Sequence, residues 1–358
     1  MKFGIGIIGA GNWANHWIPA IRDSEILEPI GVSVGSKAEI FASKFNLKYY
    51  ENPHQLFSDK NIQIVCILTQ HHVHTEYAVM AIEYGKHVIV EKPMAVSVEE
   101  CDKMIEAAKK YKVKLQVAHS RRFFPIIRKA KQILDSGELG KVLMMRHVFA
   151  HPWRPPYKIG ETIDWRSDPE KGKNFFLGYG CHHIDYIHYL INSRCKKLYA
   201  KMRGFWTDID TINAGMIFLD FENGAFSTYW ELDTVAPTIK EYPPFPDFRE
   251  NNEIVCEKGL MILEPYRRLL IRKNGGWETI LELPREKADP IRKFLREELE
   301  MLAYAIETDS DPPCTGEDGR HTVEICLSAI ESSKKDKIIE LKTSPKLHKN
   351  CRPLYYDT

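Results

Sequence analysis

Phe3-Gly4-Ile5-Gly6-Ile7-Ile8-Gly9-Ala10-Gly11-Asn12-Trp13-Ala14 is the stretch that decides the fold. Its apolar first half reads as a buried strand, and Ala14–Arg22 reads as a helix, so the glycines fall where strand becomes helix. At such a junction Gly9 permits the tight turn, Gly11 lets the backbone approach a pyrophosphate, and Ala14 allows close helix-to-strand packing. The helix start offers free N–H groups and a positive dipole end to phosphates. With Asn12 and Trp13 completing the turn, the segment predicts a dinucleotide site.

Working outward, short β-rich runs alternate with helical stretches up to residue 120, the signature of a parallel sheet with crossover helices. The strands read as Phe3–Ile8, Ile30–Val34, Ile64–Leu68, His87–Val90 and Lys114–Val117. The helices read as Ala14–Arg22, Ala38–Phe45, Thr75–Tyr84 and Ser97–Tyr111, the last opened by a Ser97/Glu100 capping box. Beyond residue 120 the pattern changes to a helix, Pro125–Ser136, and a series of β segments. These are Val142–Ala150, Leu198–Gly204, Ala214–Asp220, Ala225–Leu232, Glu253–Glu257, Leu260–Leu263 and Leu269–Arg272, with a hairpin signal at Asn223-Gly224. Helices at Pro290–Glu307 and Thr322–Lys334 follow, the latter expected to pack back on the first domain. The fold class is thus α/β: a doubly wound parallel sheet over 1–120, then an α+β domain with a large, open, mostly antiparallel sheet over 121–343, and a tail over 344–358.

Charge excludes some partners. With 50 Lys+Arg against 49 Asp+Glu the net charge is +1, so no global field draws the chain to nucleic acid or an anionic membrane. No run approaches the ~18 apolar residues of a membrane span. The opening residues show no basic stretch followed by a long apolar one, and the eight cysteines are scattered without CxxC spacing. The expectation is a reduced, cytoplasmic protein that binds a small polar molecule.

If the dinucleotide were NAD, an acidic residue at the end of the second strand would hold the ribose 2′-hydroxyl. Here the strand ends Ser33-Val34-Gly35-Ser36-Lys37, and the first carboxylate is Glu39. Ser36 and Lys37 suit the 2′-phosphate of NADP(H) better; Glu39 leaves NAD(H) open. Glu91-Lys92-Pro93 closes the run His87–Val90, and Lys92 there is a candidate proton shuttle. An alcohol gives up hydride only as its hydroxyl loses a proton, so a base must stand within hydrogen-bond reach of that oxygen.

Further segments carry a resemblance. They are Thr69-Gln70-His71-His72-Val73-His74, Arg121-Arg122-Phe123-Phe124-Pro125, Ser136-Gly137-Glu138-Leu139-Gly140, Trp165-Arg166-Ser167-Asp168-Pro169, Gly180-Cys181-His182-His183-Ile184-Asp185 and Pro313-Cys314-Thr315-Gly316-Glu317-Asp318-Gly319-Arg320. With the glycine turn and Glu91-Lys92-Pro93, this ordered set resembles the glucose-fructose oxidoreductase and inositol dehydrogenase (Gfo/Idh/MocA) family. The resemblance implies a Rossmann domain, and a second domain whose open sheet forms homodimer or homotetramer contacts. It implies hydride transfer between NAD(P) and a secondary alcohol or ketone of a sugar, cyclitol or nucleotide sugar. Lys92 matches the family lysine at the reacting oxygen, and His182 the family histidine that acts as acid or base beside it. Thr69, His71, His74 and Glu91 fall where the family contacts the cofactor. Trp153, Arg122, Tyr179 and Asp185 are candidate substrate contacts. One departure stands out: the family's aspartate in Asp-x-Gly-x-His is replaced by Gly178. The resemblance leaves open an NAD-dependent glycosidase of the same fold, and the missing aspartate a non-catalytic dinucleotide sensor. No metal is expected, because His182, His183, Asp185 and His188 lack a second ligand pair of known spacing.

Overall fold

β1 (Phe3–Ile8), β2 (Leu27–Ser33), β3 (Lys48–Tyr49), β4 (Ile64–Ile67), β5 (His87–Glu91) and β6 (Leu115–Ala118) form one parallel sheet in the order 3-2-1-4-5-6. This arrangement comes from a computed structural model, which describes residues 2–150, 158–159, 162–163, 165, 168, 171–172, 175–205, 212–232, 249–284 and 290–342. The connecting helices are α1 (Ala14–Arg22), α2 (Ala38–Lys44), α3 (Pro53–Ser58), α4 (His74–Glu83) and α5 (Val98–Tyr111). Strand order reverses between β1 and β4, and in open sheets of this kind ligands bind beyond the carboxyl ends at that switch point. The expected cap is present in a shifted form: Ser97 Oγ accepts from Glu100 N at 3.3 Å, while the Glu100 carboxylate accepts from Val96 N rather than from Ser97. β3 and α3 were not anticipated; α3 begins at an Asn52 cap with Pro53 at its first position.

The chain divides into two compact units, one holding Met1–Ser120 and Ala288–Val323, the other Arg121–Lys287 and Glu324–Leu347. In the second, α6 (Pro125–Ser136) leads to β7 (Val142–Ala150), the short pair β8 (Lys158–Ile159) and β9 (Thr162–Ile163), and α7 (Phe175–Ile191). There follow β10 (Cys195–Arg203), β11 (Ala214–Phe221), β12 (Phe226–Leu232), β13 (Arg249–Cys256), β14 (Gly259–Glu264), β15 (Arg268–Lys273) and β16 (Gly276–Glu282). Helices α8 (Pro290–Glu307) and α9 (Gly316–Lys335) and strand β17 (Ile339–Glu340) end the described chain. The large sheet runs 16-15-14-13-7-12-11-10-17, with β7 and β12 parallel and the other described pairs antiparallel. Asn223-Gly224 makes the expected turn between β11 and β12. Strand alternation gives the sheet two unlike faces. His147, Phe149, Ile217, Leu219, Tyr229 and Ile254 are buried, whereas Met216, Phe218, Phe226 and Trp230 are 38–48% exposed.

α8 supplies a whole apolar face to the first unit: Leu295, Leu299, Leu302 and Ala303 are buried with Trp17, Ile18, Ile21, Ile5 and Cys66. Their i, i+4, i+7, i+8 spacing makes one stripe of the helix, and each fully buried leucine is worth about 1.5–3 kcal/mol. The opening turns of α9 lie against the same unit, with Gly319 close to Val117 and Arg320 donating to Asp102 at 2.6 Å. Among the described residues no helix is long and apolar enough to cross a membrane.

Candidate active site

At the end of β1 the chain turns with Gly9 at φ 106°, and a Cβ there would meet the Leu68 carbonyl at 2.8 Å. Glycine is required both by conformation and by the end of β4 pressing on it. A Cβ on Gly11 would meet nothing within 4 Å, so that side of the turn is open. Gly11, Asn12 and Trp13 are exposed, and their backbone N–H groups have no acceptor among the described residues. Three free donors at the positive end of α1 fit a diphosphate. Next to the turn, the buried Thr69 hydroxyl also has no partner among the described residues. At the end of β2, Val34 sits at φ 68°, a costly conformation for a β-branched residue, and Ser36, Lys37 and Glu39 beyond it are exposed. These residues fit a dinucleotide, with Ser36 and Lys37 free to meet its ribose end.

Glu91 and Lys92 lie where β5 ends, after the Gly-rich turn has been placed two strands away by β1 and β4. The Glu91 carboxylate is 9% exposed; one oxygen accepts from the Trp13 indole N–H, the other from the Lys92 backbone N–H at 3.1 Å. Burial pushes this carboxyl's pKa up, and the Lys92 charge and the hydrogen bonds work against that. Lys92 itself is half-buried, before a cis bond to Pro93. His74 is fully buried, with Nδ1 3.1 Å from the Pro93 carbonyl and Nε2 3.1 Å from the Thr69 carbonyl. Its ring is a strut between the Thr69 loop and the Lys92-Pro93 turn. His71, 8% exposed, packs its ring 5.7 Å from that of His74.

On α7, Tyr179 and His182 are half-buried, one turn apart, with rings edge-to-face at 6.1 Å and 80°. Asp185, the next turn along, is fully buried, and its carboxylate accepts from Arg122 Nε at 2.8 Å and Nη2 at 2.7 Å. The Arg122 guanidinium also lies 4.7 Å from the centre of the Tyr189 ring. Arg122 and Asp185, the expected substrate contacts, are paired with each other, as two charges removed from water must be. Trp153 lies outside the described residues.

Two family models match the chain, one described as an oxidoreductase family with an NAD-binding Rossmann fold over residues 3–119, the other as the GFO/IDH/MocA C-terminal domain over residues 127–262. The chain belongs to the Gfo/Idh/MocA family of oxidoreductases. Within that family it is 25% identical to an uncharacterised oxidoreductase, YrbE, of Bacillus subtilis, over 91% of this chain and 93% of the relative. It is 23% identical to myo-inositol 2-dehydrogenase of Thermotoga maritima, over 94% of this chain and 98% of the relative. Among solved structures, levoglucosan dehydrogenase in complex with NADH and levoglucosan superposes with a TM-score of 0.84 at 20% identity, over 96% of this chain and all of that one.

This Gfo/Idh/MocA chain also holds a buried polar cluster under α7 that sequence reasoning missed. Arg121 Nη1 donates to both Glu250 oxygens at 2.8 Å, and Tyr186 donates its hydroxyl proton to Glu250 Oε1 at 2.5 Å. His147 Nδ1 lies 2.9 Å from the Tyr186 oxygen and 2.5 Å from Asn252 Oδ1. His183 Nδ1 is 3.6 Å from Glu250 Oε1, and its ring stacks on Tyr229. His147, His183 and Glu250 bring donor atoms within 4.8 Å of one another, a spacing that a metal could use. Arg121, on both carboxylate oxygens, already balances that charge and would stand beside any cation.

Burial lowers the His147 pKa to about 4, with the Arg121 charge adding to it, and burial and Arg121 lower that of His183 well below its ordinary value. A histidine held neutral in the fold binds fewer protons than when unfolded, so its contribution is full above pH 6.5 and is lost as pH falls toward 4. Moving from pH 7 to pH 5 should therefore cost about 2 kcal/mol from His147 alone, and more with His183. Urea unfolding at pH 7, 6 and 5 checks this; a midpoint that does not move would show that neither histidine is held neutral.

Proposed function

We propose that this protein transfers hydride between a nicotinamide dinucleotide, NADP(H) in preference to NAD(H), and a secondary alcohol or ketone of a sugar, cyclitol or nucleotide sugar. The observation that carries the reading is Lys92, half-buried at the carboxyl end of β5, on the same sheet edge as the open turn of Gly9 to Ala14. When bound, the nicotinamide supplies or accepts hydride; the protein's own residues handle the proton. Lys92 donates a hydrogen bond to the reacting oxygen and offers positive charge to the alkoxide that develops on it. His182, half-buried on α7, serves as the acid or base. Relatives named for inositol and levoglucosan support a polyol substrate.

The test is turnover with both cofactors over a panel of sugars and cyclitols. Release of a free sugar with no net change in reduced cofactor would instead indicate a glycosidase, and binding without turnover a sensor; Gly178, in place of the family carboxylate, is the reason to include the second outcome. For the cofactor, NADPH should bind at least about tenfold more tightly than NADH, and Lys37→Glu should narrow that gap by removing a charged contact to the 2′-phosphate. Tighter binding of NADH by the parent protein would reverse the preference.

The exposed face of the large sheet fits a second copy of the chain. Met216 is paired with Trp230, Phe218 stacks on Phe226 at 5.7 Å, and such a patch of large apolar side chains marks an interface. The parent should sediment as a dimer or tetramer and Trp230→Glu as a smaller species. A parent that sediments as a monomer at micromolar concentration refutes this.

A further inference from the structure

Trp13 stands in the glycine-rich turn and Glu91 at the end of β5, seventy-eight positions apart, yet the indole N–H of the first donates to the carboxylate of the second. Trp13 is 38% exposed, in helical conformation at the start of α1, so its position is set by the turn itself. Glu91 is buried, and a buried carboxylate demands donors. Its other oxygen accepts from the backbone N–H of Lys92. A continuous chain of groups therefore runs from turn to indole, carboxylate and the peptide that carries Lys92.

We propose that Trp13 is a positioning residue for Lys92, acting through Glu91, so that the turn that takes the dinucleotide phosphates also fixes the lysine. This rests on the reading of Lys92 as the proton-handling group. The indole is suited to the task because it donates and cannot accept. It is rigid, and it reaches across β4 without exposing Glu91 to water. Phenylalanine at this position would keep a ring in the same place and remove the Trp13 donor from Glu91, leaving the carboxylate to the Lys92 backbone N–H and the neighbouring Trp17 indole. The carboxylate would then hold the Lys92 peptide less firmly, while the backbone N–H groups of the turn would remain available to phosphate.

The experiment has two arms, both on the full chain. In the first, the indole N–H signal of Trp13, assigned by its absence in Trp13→Phe, is followed by NMR in parent and Glu91→Gln. The expected result is a downfield signal that moves in Glu91→Gln and shifts when NADPH is added; a signal unchanged by Glu91→Gln overturns the proposal. This arm needs no turnover, so a parent inactive on every substrate would overturn the preceding reading of function without deciding this one. In the second arm, Trp13→Phe should lower kcat about tenfold, the effect of losing one donor to a charged group, with the KM for NADPH within about threefold. The loss should shrink in a Glu91→Gln background, since both changes cut the same chain. An equal loss of kcat in both backgrounds, or a loss confined to KM, would make Trp13 a packing residue only. If Trp13→Phe does not fold, Trp13→Tyr, which also lacks the indole N–H, supplies the assignment and the Glu91→Gln signal decides.

Discussion

Lys92→Met should lower turnover by at least about 100-fold on any substrate the parent accepts, the usual scale for a positioned acid or base. Methionine keeps the length and flexibility of the side chain and removes its charge and its three donors. The backbone N–H of residue 92 stays, so its hydrogen bond to Glu91 at 3.1 Å is preserved and the end of β5 should hold its shape. The open turn at Gly11 and its free N–H groups are untouched, so the affinity for NADPH should stay within about threefold, as expected of a group whose interaction matters to the reacting oxygen and not to the phosphates. A variant that falls in kcat with an unchanged cofactor constant would thus locate the loss in the chemical step. Turnover within about threefold of the parent would remove Lys92 from the reaction. The expected loss is large because the carboxylate that the family places before the histidine is Gly178 here, and Asp185, the next acid on α7, is already bound to Arg122.

The parts of this site that could be read from the sequence are those whose chemistry is local. Gly9 and Gly11 were legible because a strand-to-helix turn needs them for backbone reasons, and β1 and α1 have the bounds that their apolar spacing predicts. The Trp13 to Glu91 hydrogen bond was not, because it depends on which strand lies beside which. The same holds for α8: its spacing shows an apolar stripe, while the surface that stripe covers is set by the tertiary fold. Arg122 and Asp185 were each visible as charged residues in family positions, but nothing local says that they pair. Glu250 was lost for a simpler reason. β13 begins at Arg249, four residues before the predicted start, and the alternation that puts Glu250 and Asn252 on the same buried face as Ile254 and Cys256 runs from polar to apolar, hiding the strand.

Glu250→Gln should destabilise the fold by about 3–5 kcal/mol, the cost of breaking a buried ion pair on one side. Burial alone would raise the Glu250 pKa, but Arg121 and His183 outweigh it and hold the carboxyl well below its ordinary range. The stabilisation carried by a lowered carboxyl is present above its unfolded value and is lost only as pH falls through the folded one. The penalty in Glu250→Gln should therefore persist undiminished from pH 7 down to about pH 4.5, unlike the histidine contribution, which fades over that interval. Glutamine keeps the shape and can still meet one Arg121 N–H, yet the guanidinium charge stays buried without its counter-ion and the Tyr186 hydroxyl loses its charged acceptor. Arg121→Met combined with Glu250→Leu removes both charges and should cost less than the two single changes added together. Urea unfolding of the parent, Glu250→Gln, the two single changes Arg121→Met and Glu250→Leu, and their double variant decides the matter: a Glu250→Gln midpoint equivalent to less than about 0.5 kcal/mol, or strict additivity in the double variant, would show that the pair does not hold α7. Because His183 of this cluster is the neighbour of His182 in the chain, a loosened helix should also lower turnover in any Glu250→Gln protein that remains folded.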